Sequence, residues 1–504
     1  MRTSKKFILN GIILTGTSFL MRWIGVMFNT YISNRLGSEG MGIYGLVQSV
    51  FGFAVTFACS GINFGATRLI SESLANENWG DIKNALKKCV FYSLFFSLSA
   101  SLIVSTGADF IGRKILEDIR TVKSIKILAI SLPFISLSSV FNGYFSAVRR
   151  VYKNATVLII EQFIQIFFTV KFISLFALKN VEYACVAIAL GILISELISL
   201  MYNCLLCYFD IKKHSDTSSN LSAGMTKKLI KISLPLALST YFRSGLVTIE
   251  HLLIPYGLRK SGASYATSMS TYGLVHGMVF PIIMFPSCII YSFSGLLVPE
   301  LAAFNEKKEY DKINKMISRA IQYSIYFSVG VSCVIMCYAY ELSMVFYNSA
   351  EAYEYIRLFA PLITIMYLDG TVDGILKGLN EQLYSMKINI ADALISVLLV
   401  YFLVPHFGVK GYIVAIFVCE IFNCTMSLMR LVKISQPEIS FSKYVFKPII
   451  SALVSTWVVV CLFDFLDITF WGSKFNLVSR ISCTLLLYSS VFFYKRRCIK
   501  ENNK

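Results

Sequence analysis

Arg22-Trp-Ile-Gly-Val-Met-Phe-Asn29-Thr-Tyr-Ile-Ser-Asn-Arg-Leu-Gly37-Ser-Glu39-Gly40-Met-Gly42-Ile-Tyr44 is the stretch on which the reading of this chain turns. An arginine stands midway along an apolar helix, and an asparagine follows seven residues later. A glycine-rich hairpin then leads into a second apolar helix. An arginine at that depth in a bilayer costs several kcal/mol unless it faces water, a counter-charge or a ligand.

The rest of the chain supplies the membrane. Of 504 residues, 56% are hydrophobic and only 15% charged, too few to clothe a soluble fold of this size. Apolar runs recur from end to end, from about 7–33 and 41–65 through to 447–466 and 475–494. Each is long enough to cross a hydrocarbon core of roughly 30 Å as a helix. The expectation is an all-α integral membrane protein with about fourteen transmembrane helices. The basic start and first apolar run continue into the Arg22 segment without a small-residue cleavage site, so they read as a first span that stays.

The net charge of +18 does not point to nucleic acid, because the basic residues are dealt out between apolar runs. They fit positive-inside loops and attraction to anionic membrane lipids. With the N-terminus inside, cytoplasmic connections hold 31 lysines and arginines and outer ones 13. Both termini are therefore expected in the cytoplasm of a plasma-membrane protein. The thirteen cysteines lie almost wholly in or beside apolar runs, and the C-x-x-C pair Cys204 and Cys207 has no histidine partners. They read as small helix residues rather than metal or redox groups. No nucleotide, zinc-protease, nucleophile-elbow or dinucleotide motif is present, so the chain reads as neither an enzyme nor an ATP-driven pump, with no cofactor and no metal.

A polar, Ser/Thr-rich linker at 210–226 divides two similar halves. Lys5-Lys6 opens the first and Lys227-Lys228 the second. Arg22 matches Arg243 and Asn29 matches Glu250 at an offset of 221, and Tyr44-Gly-Leu-Val-Gln48 matches Tyr272-Gly-Leu-Val-His276 at 228. A half with an even number of spans cannot invert. The repeats should be parallel, with a substrate cavity between them near mid-membrane. The expected domains are a six-span lobe at 1–209, the linker, a second six-span lobe at 227–433, and two further spans with a basic tail at 434–504. Residues 66–88 and 301–319 read as amphipathic helices on the inner leaflet.

Residues seven apart share a helix face. Arg22 with Asn29 and Arg243 with Glu250 are thus candidate cavity residues, joined by His251, Gln48 and His276. The alternative is that each arginine bonds backbone carbonyls or a buried carboxylate and staples one helix to another. Glu161 with Lys171, and Glu196, form either a proton site or a structural ion pair. Asp373 is a further ion-coupling candidate, although its spacing also suits pairing with Lys377. Gly37, Gly40 and Gly42 are candidate hinge positions. Pro281 and Pro286 should bend the eighth span.

Arg22-Trp-Ile-Gly25, Arg35 to Tyr44, Ile249-Glu-His-Leu-Leu-Ile-Pro255, Phe285-Pro-Ser287 and Leu297-Val-Pro-Glu-Leu301 resemble the polysaccharide transporter and stage V sporulation protein B family. That family belongs to the multidrug/oligosaccharidyl-lipid/polysaccharide (MOP) exporter superfamily, alongside the lipid II flippases. The resemblance covers nearly the whole chain. It implies two parallel six-helix lobes, as in the multidrug and toxin extrusion (MATE) branch, forming a V-shaped cavity lined by spans 1, 2, 7 and 8. Two C-terminal helices would add a groove for a polyprenyl tail. It implies a flippase moving a polyprenyl-pyrophosphate-linked saccharide by alternating access. The implied cargo is a peptidoglycan precursor for spore cortex, in a spore-forming bacterium. Many relatives carry a second arginine near Asn29, and this chain does not. A cation-coupled multidrug exporter is the competing expectation, for which only Glu161 and Glu196 offer first-lobe carboxylates. A non-transporting scaffold is the third.

Overall fold

The computed structural model describes residues 2–75, 79–176, 180–212, 224–435, 446–465 and 473–501. Most of the expected linker, 213–223, lies outside the described residues. Described residues form helices and short connections: α1 (Arg2–Cys59), α2 (Ile62–Ala75), α3 (Trp79–Phe110), α4 (Val122–Ala147), α5 (Val151–Phe176), α6 (Val181–Lys212) and α7 (Met225–Lys260). There follow α8 (Tyr265–Tyr272), α9 (Phe280–Met284), α10 (Ser287–Glu306), α11 (Tyr310–Cys337), α12 (Ala339–Tyr347) and α13 (Ala350–Phe359). The chain continues with α14 (Leu362–Gly378), α15 (Gln382–Phe407), α16 (Val409–Ile434), α17 (Lys447–Phe465) and α18 (Ser473–Glu501). This is an all-α, multi-pass membrane protein.

Among the described residues nine helices are long and apolar enough to cross a membrane, or ten if α13 and α14, bent by 54°, form one span. The expected fourteen are not reached by that measure, for identifiable reasons. α1 carries two expected spans, separated where Gly37 leaves helical geometry at φ 68° and ψ −178°. The tenth expected span is broken between α13 and α14, and the apolar part of α17, Lys447–Phe463, falls short of a span; the eighth is counted through α10, although α8 and α9 are divided from it. α7 carries Arg243 and Glu250 among its hydroxyl residues.

Contacts group the chain into two compact units: 1–21 with 35–269, and 22–34 with 270–504. In the first, α3, α4 and α6 pack together, α5 lies on α6, and α2 sits against α3 and α4. The apolar faces of α2 and early α3 meet protein rather than lipid: Leu69, Ile70 and Ile82 are buried in one cluster with Tyr144, Phe145 and Leu229. Periodicity fixes which face of a helix is apolar but not what covers it.

α7 is stitched to this unit along its length. Lys228 Nζ lies 2.5 Å from Glu72 Oε2. The Tyr241 hydroxyl donates to Ser60 Oγ at 2.6 Å, Thr56 Oγ1 to Ser244 Oγ at 3.2 Å, and Thr248 Oγ1 to the Ser49 carbonyl at 3.2 Å. Small and hydroxyl residues are the usual means of joining helices where lipid removes the hydrophobic drive between them. Beyond α7, a Cβ at Gly42 would collide with the Met269 carbonyl. The Glu117 and Asp118 connection ties in the same region, with Arg259 Nη2 3.0 Å from Glu117 and Tyr265 Oη 2.7 Å from Asp118. Burial pushes the Asp118 carboxyl up, but bonds from Arg120 and Tyr265 outweigh it and hold it below the usual carboxylate range.

In the second unit α14 is central, packed on α10, α11 and α16, with α15 on α16 and α17 on α11 and α18. Each unit also carries an ionic clasp between the end of one helix and the connection between two others. In the first, the buried Asp210 of α6 receives Lys153 Nζ at 3.0 Å, Arg150, and the Tyr144 hydroxyl at 3.0 Å. In the second, Arg430 of α16 pairs with both oxygens of Glu381, at 2.8 and 2.9 Å from Nη2, and its guanidinium lies 4.8 Å from the Tyr384 ring centre.

Candidate functional site

The eighth span is where helical hydrogen bonding fails. After α8, residues Gly273–Val279 form a π-helical stretch, and α9 then ends at Met284 before α10 resumes at Ser287. Proline is the cause. Pro281 has no N–H to return to the Gly277 carbonyl, and Pro286 has none for Ile282. In a bilayer such carbonyls must find other donors.

Side chains supply them. Asn29 Nδ2 donates to the Gly277 carbonyl at 2.8 Å. Arg22 Nη2 donates to the Met284 carbonyl at 3.1 Å, which also accepts from Ser287 Oγ at 2.6 Å. The Tyr367 hydroxyl of α14 donates to the Ile283 carbonyl at 2.6 Å, and the Phe285 N–H bonds Ile282 at 3.3 Å. The face that Arg22 and Asn29 share by their seven-residue spacing is therefore the face that meets this broken span. Lower on the same stretch, Asn34 Nδ2 donates to the Phe346 carbonyl at 2.9 Å. These three bonds explain why residues 22–34 group with the second unit.

Of the two readings for Arg22, the carbonyl staple is realised. The side chain is nevertheless exposed, and this bond uses one of five guanidinium N–H donors. His276 sits in the π-helical stretch, stacked on Phe280 with centroids 5.3 Å apart and flanked by Tyr272 at 4.9 Å and Tyr412 at 6.0 Å.

Most of the remaining candidates lie in the first unit. Arg243 is exposed on α7 and makes no hydrogen bond or ion pair with another described residue. Glu250 and His251, about two turns further on, are half-buried. Gln48 donates to the Tyr44 hydroxyl at 2.9 Å. Glu161 accepts from Ser199 Oγ at 2.7 Å and Glu196 lies within electrostatic reach of it, while Lys171 is exposed. Asp373, in the second unit, is held by Lys377 Nζ at 2.6 Å and by Ser385 Oγ. Of the three hairpin glycines, Gly37 alone has a left-handed φ. Gly40 and Gly42 are helical and closely approached, by Leu36 and the Met269 carbonyl respectively.

Sequence reasoning missed Tyr367 and Asn34. For Tyr367 a signal existed: a tyrosine deep in an apolar helix must bury its hydroxyl on an acceptor.

Comparison with known proteins matches this architecture. Residues 7–289 match the family model described as polysaccharide biosynthesis protein. Stage V sporulation protein B of Bacillus subtilis (strain 168) is 26% identical over 467 residues, 90% of each chain. Sporulation protein YkvU of the same organism is 21% identical over 366 residues, 71% of this chain and 79% of that one. In fold, the chain is similar to the lipid II flippase MurJ in an inward closed conformation, with a TM-score of 0.68 at 13% identity over 96% of this chain and 99% of that one. It is also similar to an inward-facing multidrug resistance MATE family transporter of the MOP superfamily, with a TM-score of 0.62 at 17% identity, covering 83% and 96%. The family match spans more than half of the chain, and the relatives extend it over most of the rest. The chain belongs to the polysaccharide biosynthesis protein family.

Proposed function

We propose that this protein translocates a polyprenyl-pyrophosphate-linked saccharide across the plasma membrane, with Arg22 and Arg243 as the cationic ligands of the pyrophosphate. The observation that carries the reading is the repeat of an exposed arginine in a membrane helix, at 22 and again at 243. Neither pairs with a carboxylate among the described residues, and an exposed charge in a membrane helix marks a ligand or water path. Arginine suits a pyrophosphate because its planar fork directs several donors at phosphate oxygens. Membership of the polysaccharide biosynthesis family supports a saccharide cargo. The relatives named for sporulation support a peptidoglycan precursor for spore cortex, and the MurJ-like fold supports a lipid-linked one. Gln48, Glu250, His251 and His276 would contribute neutral or balancing contacts to the sugar headgroup, with Asn29 beside them on the Gly277 carbonyl. Both termini would be cytoplasmic.

A cation-coupled drug exporter is the second reading. It is favoured by one observation, the half-buried Glu161 and Glu196 on the packed pair α5 and α6. Purified full-length protein in proteoliposomes separates the two. Translocation of fluorescent lipid II, with no proton-driven accumulation of a cationic dye, is the expected result. Dye accumulation without lipid translocation would reverse the assignment.

A further inference from the structure

Within the second unit, the two polar residues of span 1 do different work on the broken span. The Gly277 carbonyl loses its helical donor to Pro281, and Asn29 replaces it at 2.8 Å. Asparagine is neutral and half-buried there, and its amide is matched to one carbonyl; it has no charge to offer an anion. The Met284 carbonyl at the break is held instead by Ser287 Oγ, from its own turn, and by Arg22. The backbone around it is weakly tied. The Cys288 N–H reaches Phe285 at 3.5 Å and the Ile289 N–H reaches Pro286 at 3.2 Å, short-range bonds in place of α-helical ones. Arg22 is exposed, and a carbonyl is a weaker partner for a guanidinium than a phosphate oxygen, where the hydrogen bond is charge-assisted.

We infer that Arg22 is shared between the Met284 carbonyl and an anionic phosphate ligand, so that phosphate binding releases the break at 285–286, while Asn29 is a positioning residue that fixes the π-helical stretch and the ring of His276 in both conditions. The inference rests on the phosphate reading proposed above and extends it: the ligand does not merely fill a site but exchanges with a helix cap. A second arginine capping Gly277 would let the ligand loosen both points of the span, whereas asparagine confines the response to one. A ligand can shift such an equilibrium only by what it gains in one state over the other, and here the gain is the exchange of a carbonyl for a phosphate.

Hydrogen exchange read by mass spectrometry on the full-length protein in nanodiscs tests this, with undecaprenyl pyrophosphate as the probe and its binding isotherm recorded in parallel. Saturating lipid is expected to raise exchange in 284–292 by roughly tenfold and leave 273–283 unchanged. Arg22→Ala is expected to show the fast 284–292 exchange with or without lipid. Arg22→Gln, which keeps a carbonyl donor without the charge, is expected to stay slow and unresponsive. Asn29→Ala is expected to raise exchange in 273–283 alone. Unchanged exchange of 284–292 on lipid-saturated wild-type protein overturns the inference, as do alanine variants that exchange like wild type. Failure of the lipid to bind overturns the phosphate reading itself, a result visible in the isotherm before any exchange is read.

Discussion

Arg243→Ala is expected to lower translocation of a polyprenyl-pyrophosphate saccharide by roughly tenfold to a hundredfold while leaving the protein's thermal midpoint and expression at wild-type levels. The magnitude follows from one lost hydrogen-bonded contact to a charged group, about 1.5–3 kcal/mol. The unchanged stability follows from the structure: the side chain is exposed on α7 and bonds no other described residue. α7 is held to its unit by neighbours that the substitution does not touch, Tyr241, Ser244 and Thr248. Arg22→Ala should lose translocation to a similar extent but also loosen the end of α9, because it uncaps the Met284 carbonyl. Transport assayed in proteoliposomes, beside thermal unfolding of the same preparations, separates the two behaviours. Full transport by Arg243→Ala would remove it from the ligand set.

The largest stability effect should come from the opposite kind of residue. Asp210 is 3% exposed and accepts from Lys153, Arg150 and Tyr144. Replacing it with alanine leaves the largely buried Lys153 and the Tyr144 hydroxyl without their acceptor. A fully buried pair broken this way costs about 3–5 kcal/mol; Arg150, 34% exposed, can turn to water, which brings the expectation to about 2–3 kcal/mol. A clear fall in thermal midpoint is expected, with the remaining folded protein still binding lipid. Lys312→Ala, which removes an exposed pair with Glu309 (61% and 33% exposed), is the control and should be near neutral. Equal midpoints for the two variants would show that the clasp carries no stability.

The two clasps also show what a sequence repeat conceals. The arginines at 22 and 243 and the matched Tyr-Gly-Leu-Val segments are visible because residue types repeat. The clasps occupy comparable places, the end of α6 and the end of α16, but their charges are reversed: acid on the helix end in one, arginine in the other. Identity matching is blind to that exchange. Pro281 and Pro286 made the break in the eighth span legible, since a missing N–H is a property of the residue itself. The donors that repair it were not legible, because Arg22, Asn29 and Tyr367 lie far from it along the chain. Residues 66–88 read as amphipathic helix on the inner leaflet for a related reason: the apolar face is evident in the sequence, but what covers it, α4 and the start of α7, comes only with the fold. Two of the places where fewer than fourteen spans pass by length and apolarity are places where function is proposed, α1 with Arg22 and its Gly37 break and α7 with its charges. Sequence rules that define ordinary membrane helices are expected to fail where a helix carries a ligand or a bend.

The affinity of full-length protein for undecaprenyl pyrophosphate, measured in nanodiscs for wild type and for the variant with both Arg22→Ala and Arg243→Ala, bears most directly on the proposed phosphate recognition. Wild-type protein is expected to bind the pyrophosphate lipid and to discriminate strongly against neutral undecaprenol, with the double variant weakened by at least about a hundredfold for the former alone. Equal affinity of wild type and double variant for the pyrophosphate lipid would contradict it.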